Sequence, residues 1–197
     1  MALVSAAAWD HPDRDLTVIG ITGTKGKSTV SYMLRAILDG AVPGSSTGVI
    51  GSINTYDGLT EIESVNTTPE SPDLWRLIAN MRTAGLPYLD MEVSSQALKY
   101  ERVVGLTFDI GCFLNIGRDH ISPVEHPTFE DYFASKLSMF DQTRVAVVDL
   151  DTEHVDEVLA RAASCERMVT FSASGREGAT VWASDITTSL GRVQFTC

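Results

Sequence analysis

The run Thr17-Val-Ile-Gly-Ile-Thr-Gly-Thr-Lys-Gly-Lys-Ser-Thr29 places glycines, lysines and hydroxyls where a polyphosphate needs them. Gly23 and Gly26 let successive backbone N–H groups turn toward one point, and a helix that follows adds its unpaired N-terminal donors and positive dipole end. Gly23, Thr24, Lys25, Gly26, Lys27, Ser28 and Thr29 are therefore the candidate phosphate cradle. Lys27 would reach the outer phosphates as a point charge, and the Ser28 hydroxyl would hold a phosphate-bound magnesium ion. The string departs from the usual phosphate loop, because the glycine expected five residues before Gly26 is replaced by Ile21. A tight strand-to-helix turn with an exposed lysine pair is the alternative, and the strand and helix context favours phosphate binding.

Two other stretches, Glu92-Val-Ser-Ser95 and Asn115-Ile-Gly-Arg-Asp-His120, follow apolar runs that read as strands. Open α/β sheets bind ligands beyond the carboxyl ends of their strands. A carboxylate at Glu92 needs a cation or several donors to offset its desolvation, and magnesium would serve. His120 is a candidate second ligand, although a histidine after a strand is more often a cap or a surface residue. Lys136 falls on the apolar stripe Phe129, Tyr132, Phe133, Leu137 and Phe140 and so points inward. Snorkelling is the commoner fate of such a lysine. Burial instead lowers an amine's pKa, and a neutral amine reacts with carbon dioxide to a carbamate, an oxygen ligand in place of a cation.

The elements that must hold these groups alternate between strand and helix, which predicts an α/β fold, a mostly parallel sheet flanked by helices with a small C-terminal β hairpin. After the first strand, Val30, Met33, Leu34, Ile37 and Leu38 form the expected inward stripe of a helix that Gly40 would stop. Ser71 would cap a helix running to Ala84, and Thr128 one running to Phe140. Strands are expected at Tyr88 to Val93, Phe108 to Leu114, Val145 to Leu150 and Met168 to Phe171, with a helix from Thr152 to Ala163 and a hairpin from about Gly178. Residues 1–15 read as a leader or linker and residues 16–197 as one domain.

The 197 residues are 44% hydrophobic and carry a net charge of −11, which suits a globular core and disfavours nucleic acid and acidic membrane as partners. Cys112, Cys165 and Cys197 have no metal-ligand spacing, and an odd count argues against a disulfide framework, as in a reducing cytosol. The segment Met1 to Trp9 lacks the basic start of a signal peptide. Small-molecule partners are expected.

Thr22-Gly-Thr-Lys-Gly-Lys-Ser28, Asn66-Thr-Thr-Pro69, Met91-Glu-Val-Ser-Ser-Gln-Ala-Leu98 with Arg102, Asn115 to His120, and Tyr132-Phe-Ala-Ser-Lys136 together resemble the Mur ligases, most nearly their MurE branch. These are ATP-dependent enzymes that add amino acids to the UDP-N-acetylmuramoyl-peptide precursor of the bacterial cell wall. The resemblance covers roughly residues 17 to 140 and implies a phosphate-loop central domain in which Gly23 to Thr29 bind ATP. It further implies Ser28 and Glu92 as magnesium ligands, His120 as holder of a second magnesium, and Lys136 as a carbamylated lysine. Lys27, Glu92, His120 and Lys136 would be the catalytic set. Asn66, Thr67, Thr68, Ser94 and Arg102 match positions that contact UDP-N-acetylmuramoyl-L-alanyl-D-glutamate, with Arg102 paired to a carboxylate.

The implied reaction passes through an acyl phosphate, which an incoming amino acid then displaces. Lys25 and the segment 121–131 look more like the lysine-adding branch than the diaminopimelate-adding one. Family members also have a uridine-binding and an amino-acid-binding domain that these residues do not include. The chain alone is therefore expected to bind nucleotide weakly without completing ligation, and the intact protein to be a cytoplasmic monomer. A folylpolyglutamate synthetase-like ligase, a noncatalytic phosphate-loop module and a phosphate-loop NTPase driving motion or signalling are the alternatives; the Asn66 to Pro69 and Glu92 to Ser95 strings fit a MurE-type ligase better than the first.

Overall fold

The computed structural model describes residues 1–41, 46–119 and 121–197. In chain order its elements are helix α1 (Ala2–Ala8), a 3-10 turn (Pro12–Asp15), strand β1 (Thr17–Thr22), helix α2 (Lys27–Ala41), strands β2 (Thr47–Ile50), β3 (Asn54–Tyr56) and β4 (Glu61–Glu63), helix α3 (Ser71–Thr83), strand β5 (Tyr88–Glu92), helix α4 (Ser95–Lys99) and strand β6 (Phe108–Phe113). Helix α5 (Phe129–Leu137), a 3-10 turn (Ser138–Gln142), strand β7 (Thr143–Asp149), helix α6 (Val155–Ala162) and strands β8 (Arg167–Ser172), β9 (Val181–Trp182), β10 (Ser184–Ser189) and β11 (Arg192–Thr196) complete them.

The described strands form one sheet in the order β4-β3-β2-β5-β1-β6-β7-β8-β9 and a separate β10-β11 hairpin. All pairings from β2 to β9 are parallel, and only β3 and β4 add antiparallel strands at one edge. Residues 18–22 of β1 are buried, as a central parallel strand covered on both faces requires. Register decides where the ligand end lies: Ile21 pairs with Glu92 and Thr22 with Phe113. The loops leaving β1, β5 and β6 therefore open side by side. Fully buried Phe113 packs edge-on to Phe133 and stacks on Phe140 with ring centroids 6.1 Å apart, which anchors α5 beside that opening.

The alternating α/β reading and the terminal hairpin match the structure, and several local readings do not. The face of α2 is turned: Met33 and Ile37 are 63% and 65% exposed, while Ser31 is buried and donates to Asp90 Oδ2 at 2.6 Å. A buried polar pair replaces the apolar stripe, so hydropathy alone misplaces the helix. Gly40 continues α2 to Ala41 rather than stopping it. Ser71 is the first residue of α3, not its cap, because its hydroxyl donates instead to Arg102 O across the fold.

Helix α5 gives way to the 3-10 turn before Phe140. Thr152 stays outside α6, since its hydroxyl accepts the Ile116 N–H and His154 adopts a left-handed conformation at φ 54°. Residues 181–182 join the large sheet, and the hairpin begins only at Ser184. Residues 1–15 form α1 and the first 3-10 turn, and α1 packs on α3 with Ala2 and Ala6 buried.

Candidate active site

The loop between β1 and α2 is clamped by Asn115, just past the end of β6. Thr24 N–H donates to Asn115 O, Lys25 N–H to Asn115 Oδ1, and Asn115 Nδ2 returns a hydrogen bond to Lys25 O, all at 2.9–3.0 Å. Thr24 Oγ1 lies 3.0 Å from the Tyr132 hydroxyl and accepts the Gly117 N–H, so α5 and the segment after β6 meet on one loop hydroxyl. Gly26 sits at φ +86°, a conformation a side chain disfavours, and a Cβ at Gly23 would lie 3.0 Å from Leu114 Cβ. Ile21, the departure from the usual pattern, is a fully buried strand residue. Ser28 and Thr29 stand in the first turn of α2. The Lys25 side chain leaves the cradle for Asp119, at 2.7 Å.

Two amines converge on one carbonyl. Lys27 Nζ and Lys136 Nζ each donate to Gly23 O at 3.0 Å. Lys136 is 2% exposed, so it does not snorkel, and its Nζ also sits 4.9 Å above the Tyr132 ring. Burial pushes the Lys136 amine down to about 7, and repulsion from Lys27 adds to that shift. Burial likewise lowers Lys27, with Glu92 opposing.

Glu92 is 2% exposed at the end of β5, and Ser52 satisfies it twice, N–H to Oε1 at 2.9 Å and hydroxyl to Oε2 at 3.0 Å. Each carboxylate oxygen keeps lone pairs beyond those bonds. Among the described residues no group of three His, Cys, Asp or Glu side chains is arranged to hold a metal. Two residues earlier, Asp90 is fully buried, its carboxyl raised to about 6 by burial against the lowering Ser31 hydrogen bond.

A cavity of about 280 Å³ is lined by Lys27 and Lys136 together with Asn66, Thr67, Thr68, Ser94 and Arg102. Thr68 Oγ1 donates to Glu92 O and accepts from Ser94 N–H, while Ser94 Oγ caps α4 by accepting from Ala97 N–H. Arg102 reaches Glu70 Oε1 at 2.6 Å and Thr68 O at 3.3 Å, and its buried Nε has no partner among the described residues. His120 lies outside the described residues. The structure thus gathers these seven residues on one cavity, whose lining does not include Ser28, Thr29 or Glu92, and it separates off the Lys25 side chain. Sequence reasoning misses Ser52, Asn115 as a loop clamp, and His126, because each bonds a partner far along the chain: Glu92, Lys25 and Ser95, 40, 90 and 31 residues away. No helix among the described residues is long and apolar enough to cross a membrane.

Residues 21–197 match the Mur ligase middle domain family. The chain is 50% identical over 157 residues to the UDP-N-acetylmuramyl-tripeptide synthetase of Bifidobacterium longum (strain NCC 2705), covering 79% of this chain and 30% of that protein. It is 46% identical over 155 residues to the UDP-N-acetylmuramoyl-L-alanyl-D-glutamate--L-lysine ligase of Enterococcus faecalis (strain ATCC 700802 / V583), covering 78% and 30%. The chain therefore spans less than a third of the length of either relative. A solved UDP-N-acetylmuramoyl-L-alanyl-D-glutamate--2,6-diaminopimelate ligase shares the fold, with a TM-score of 0.81 at 23% identity over 98% of this chain and 40% of that one.

The buried amine makes stability depend on pH. Between the folded value of about 7 and the ordinary 10.5, the unfolded chain binds a proton at Lys136 that the native state does not, so stability rises with pH through that window. Below pH 7 the native state carries the full cost of a buried charge. Lys136→Met is expected to be more stable than the wild type at pH 6 in carbon-dioxide-free buffer, with the advantage shrinking toward pH 10. Urea midpoints measured across that range test this, and a pH-independent difference contradicts it.

Proposed function

The chain belongs to the Mur ligase family as a middle domain, and on that premise we propose that it is the ATP-using centre of a ligase acting on UDP-N-acetylmuramoyl-L-alanyl-D-glutamate. The observation that carries this reading is the pair of lysines on Gly23 O at one cavity whose wall also holds Arg102 and the Asn66–Thr68 segment. Two cations, Lys27 and Arg102, and the Lys136 amine around one small cavity suit a ligand with several anionic groups, as a carboxylate meeting a triphosphate is. The L-lysine in the name of the Enterococcus relative favours lysine as the amino acid added.

In this account the loop from Gly23 to Thr29 binds ATP. Its backbone N–H groups and Lys27 take the phosphates, where preorganised donors stabilise charge without reorganising at the moment of reaction. Arg102, released from exposed Glu70, pairs with a substrate carboxylate, and Asn66, Thr67, Thr68 and Ser94 orient the dipeptide. The D-glutamyl carboxylate attacks the γ-phosphorus, ADP leaves, and the amine of the incoming amino acid displaces phosphate from the acyl phosphate to form the amide. The residues supply alignment and charge balance rather than a nucleophile. Ser28 and Glu92 would hold magnesium, with His120 assigned to a second ion on its motif alone; magnesium bound there would neutralise phosphate charge. Lys136, whose amine is brought down to about 7 so that a large share is uncharged at neutral pH, is the amine we assign to carbamylation. These steps draw on ATP, which places the reaction in the cytoplasm.

Calorimetric titration with UDP-N-acetylmuramoyl-L-alanyl-D-glutamate tests the substrate assignment: Arg102→Ala is expected to weaken binding about tenfold or more, the size of a lost charge-assisted pair. Unchanged binding contradicts it. In ¹³C-bicarbonate, NMR is expected to show a protein carbamate carbon that Lys136→Met lacks, and its absence from the wild type refutes carbamylation.

A further inference from the structure

Arg102 carries a counter-ion to which the assigned roles give no task. Its guanidinium is held by contacts that involve no acid: Nη1 donates to Thr68 O at 3.3 Å, and Cζ lies 6.0 Å from the centre of the Tyr100 ring. Its backbone is fixed as well, since Ser71 Oγ donates to Arg102 O and Arg102 N–H donates to Ala97 O. Glu70 Oε1 then comes to 2.6 Å from Nη2, with the Arg102 side chain 18% exposed and that of Glu70 57% exposed. The Glu70 side chain does not cap α3; its backbone carbonyl serves the helix by accepting from Leu74 N–H at 2.9 Å. What the side chain supplies to Arg102 is therefore charge. It meets one nitrogen, where an arginine engages a carboxylate best through two parallel N–H groups, and the buried Nε stays without a partner among the described residues.

The lining of the active cavity includes Arg102 and not Glu70. Glu70 borders two neighbouring cavities of about 330 and 380 Å³, the second of which Arg102 also lines, so the carboxylate has space into which to withdraw. Taking a guanidinium largely out of water costs less when a negative charge stays beside it. A ligand carboxylate that enters the active cavity must take over that place. Resting on the ligase reading, we propose that Glu70 is the exchangeable counter-ion of Arg102: it balances the arginine while the cavity is empty and competes for it with the precursor's carboxylate, which holds affinity below what Arg102 alone would give. The same side chain thereby exchanges binding strength for stability of the empty protein.

The test is calorimetry of the full chain with UDP-N-acetylmuramoyl-L-alanyl-D-glutamate, for the wild type, Glu70→Gln, Arg102→Ala and the double variant. Glu70→Gln is expected to bind the precursor about threefold to fivefold more tightly, the size of an exposed ion pair that no longer has to be broken. Without ligand it is expected to unfold at a lower urea concentration than the wild type. In the Arg102→Ala background the same replacement is expected to change affinity by less than about 1.5-fold, because the coupling runs through the arginine. Glu70→Ala, which also lacks the carboxylate, is expected to repeat the gain, so the result does not hang on the folding of one variant. Unchanged or weaker binding by the folded Glu70 variants, or an unchanged urea midpoint, overturns the inference. A gain of equal size with and without Arg102 overturns it too, since that is general repulsion of an anionic ligand rather than competition. Failure of the wild type to bind the precursor overturns the ligase reading and this inference together.

Discussion

One carbonyl oxygen, that of Gly23, receives two lysine amines, and the arrangement of the site follows from that sharing. Each Nζ is 3.0 Å from the oxygen, so the two nitrogens lie within about 6 Å of each other. Two full charges at that separation repel by about 3 kcal/mol at an effective dielectric near 20. The fold eases the conflict by burying Lys136, which brings its amine down to about 7 so that a large share is uncharged at neutral pH, and it leaves Lys27 as the cation lining the cavity. A neutral, buried amine beside a charged one is a poor device for stability and a suitable one for receiving an anion.

Everything that fixes the Gly23 carbonyl is therefore part of the site. The register of β1 against β5 and β6 brings Glu92 and Asn115 to the loop, and Asn115 clamps it through three hydrogen bonds. Tyr132 does double duty, its hydroxyl on Thr24 and its ring beneath Lys136. Phe113, Phe133 and Phe140 hold α5 so that these contacts coincide. A shift of α5 along the sheet would disturb the loop, the amine and the cavity wall at once.

What the sequence makes legible is what depends on short-range pattern. Glycines at 23 and 26, a strand before them and a helix after them identify the loop, and a lysine within the stripe of α5 betrays its inward direction. The α2 face is misread because Ser31 is buried through a hydrogen bond to Asp90, a partner 59 residues away that no periodicity contains. Strands β2, β3 and β4 have three or four residues each, too few for alternation to register. His126 is silent for the same reason as Ser31: its meaning lies in Ser95, 31 residues earlier, and in Asp131, across a turn.

The convergence of Lys27 and Lys136 on the loop is most directly tested by calorimetric titration of the chain with adenylyl imidodiphosphate and excess magnesium, for the wild type and for Lys27→Met. The account predicts saturable binding to the wild type that falls by about tenfold or more in the variant, as loss of a charge-assisted phosphate contact requires. No binding by correctly folded wild type, or equal affinity for the two proteins, would contradict it.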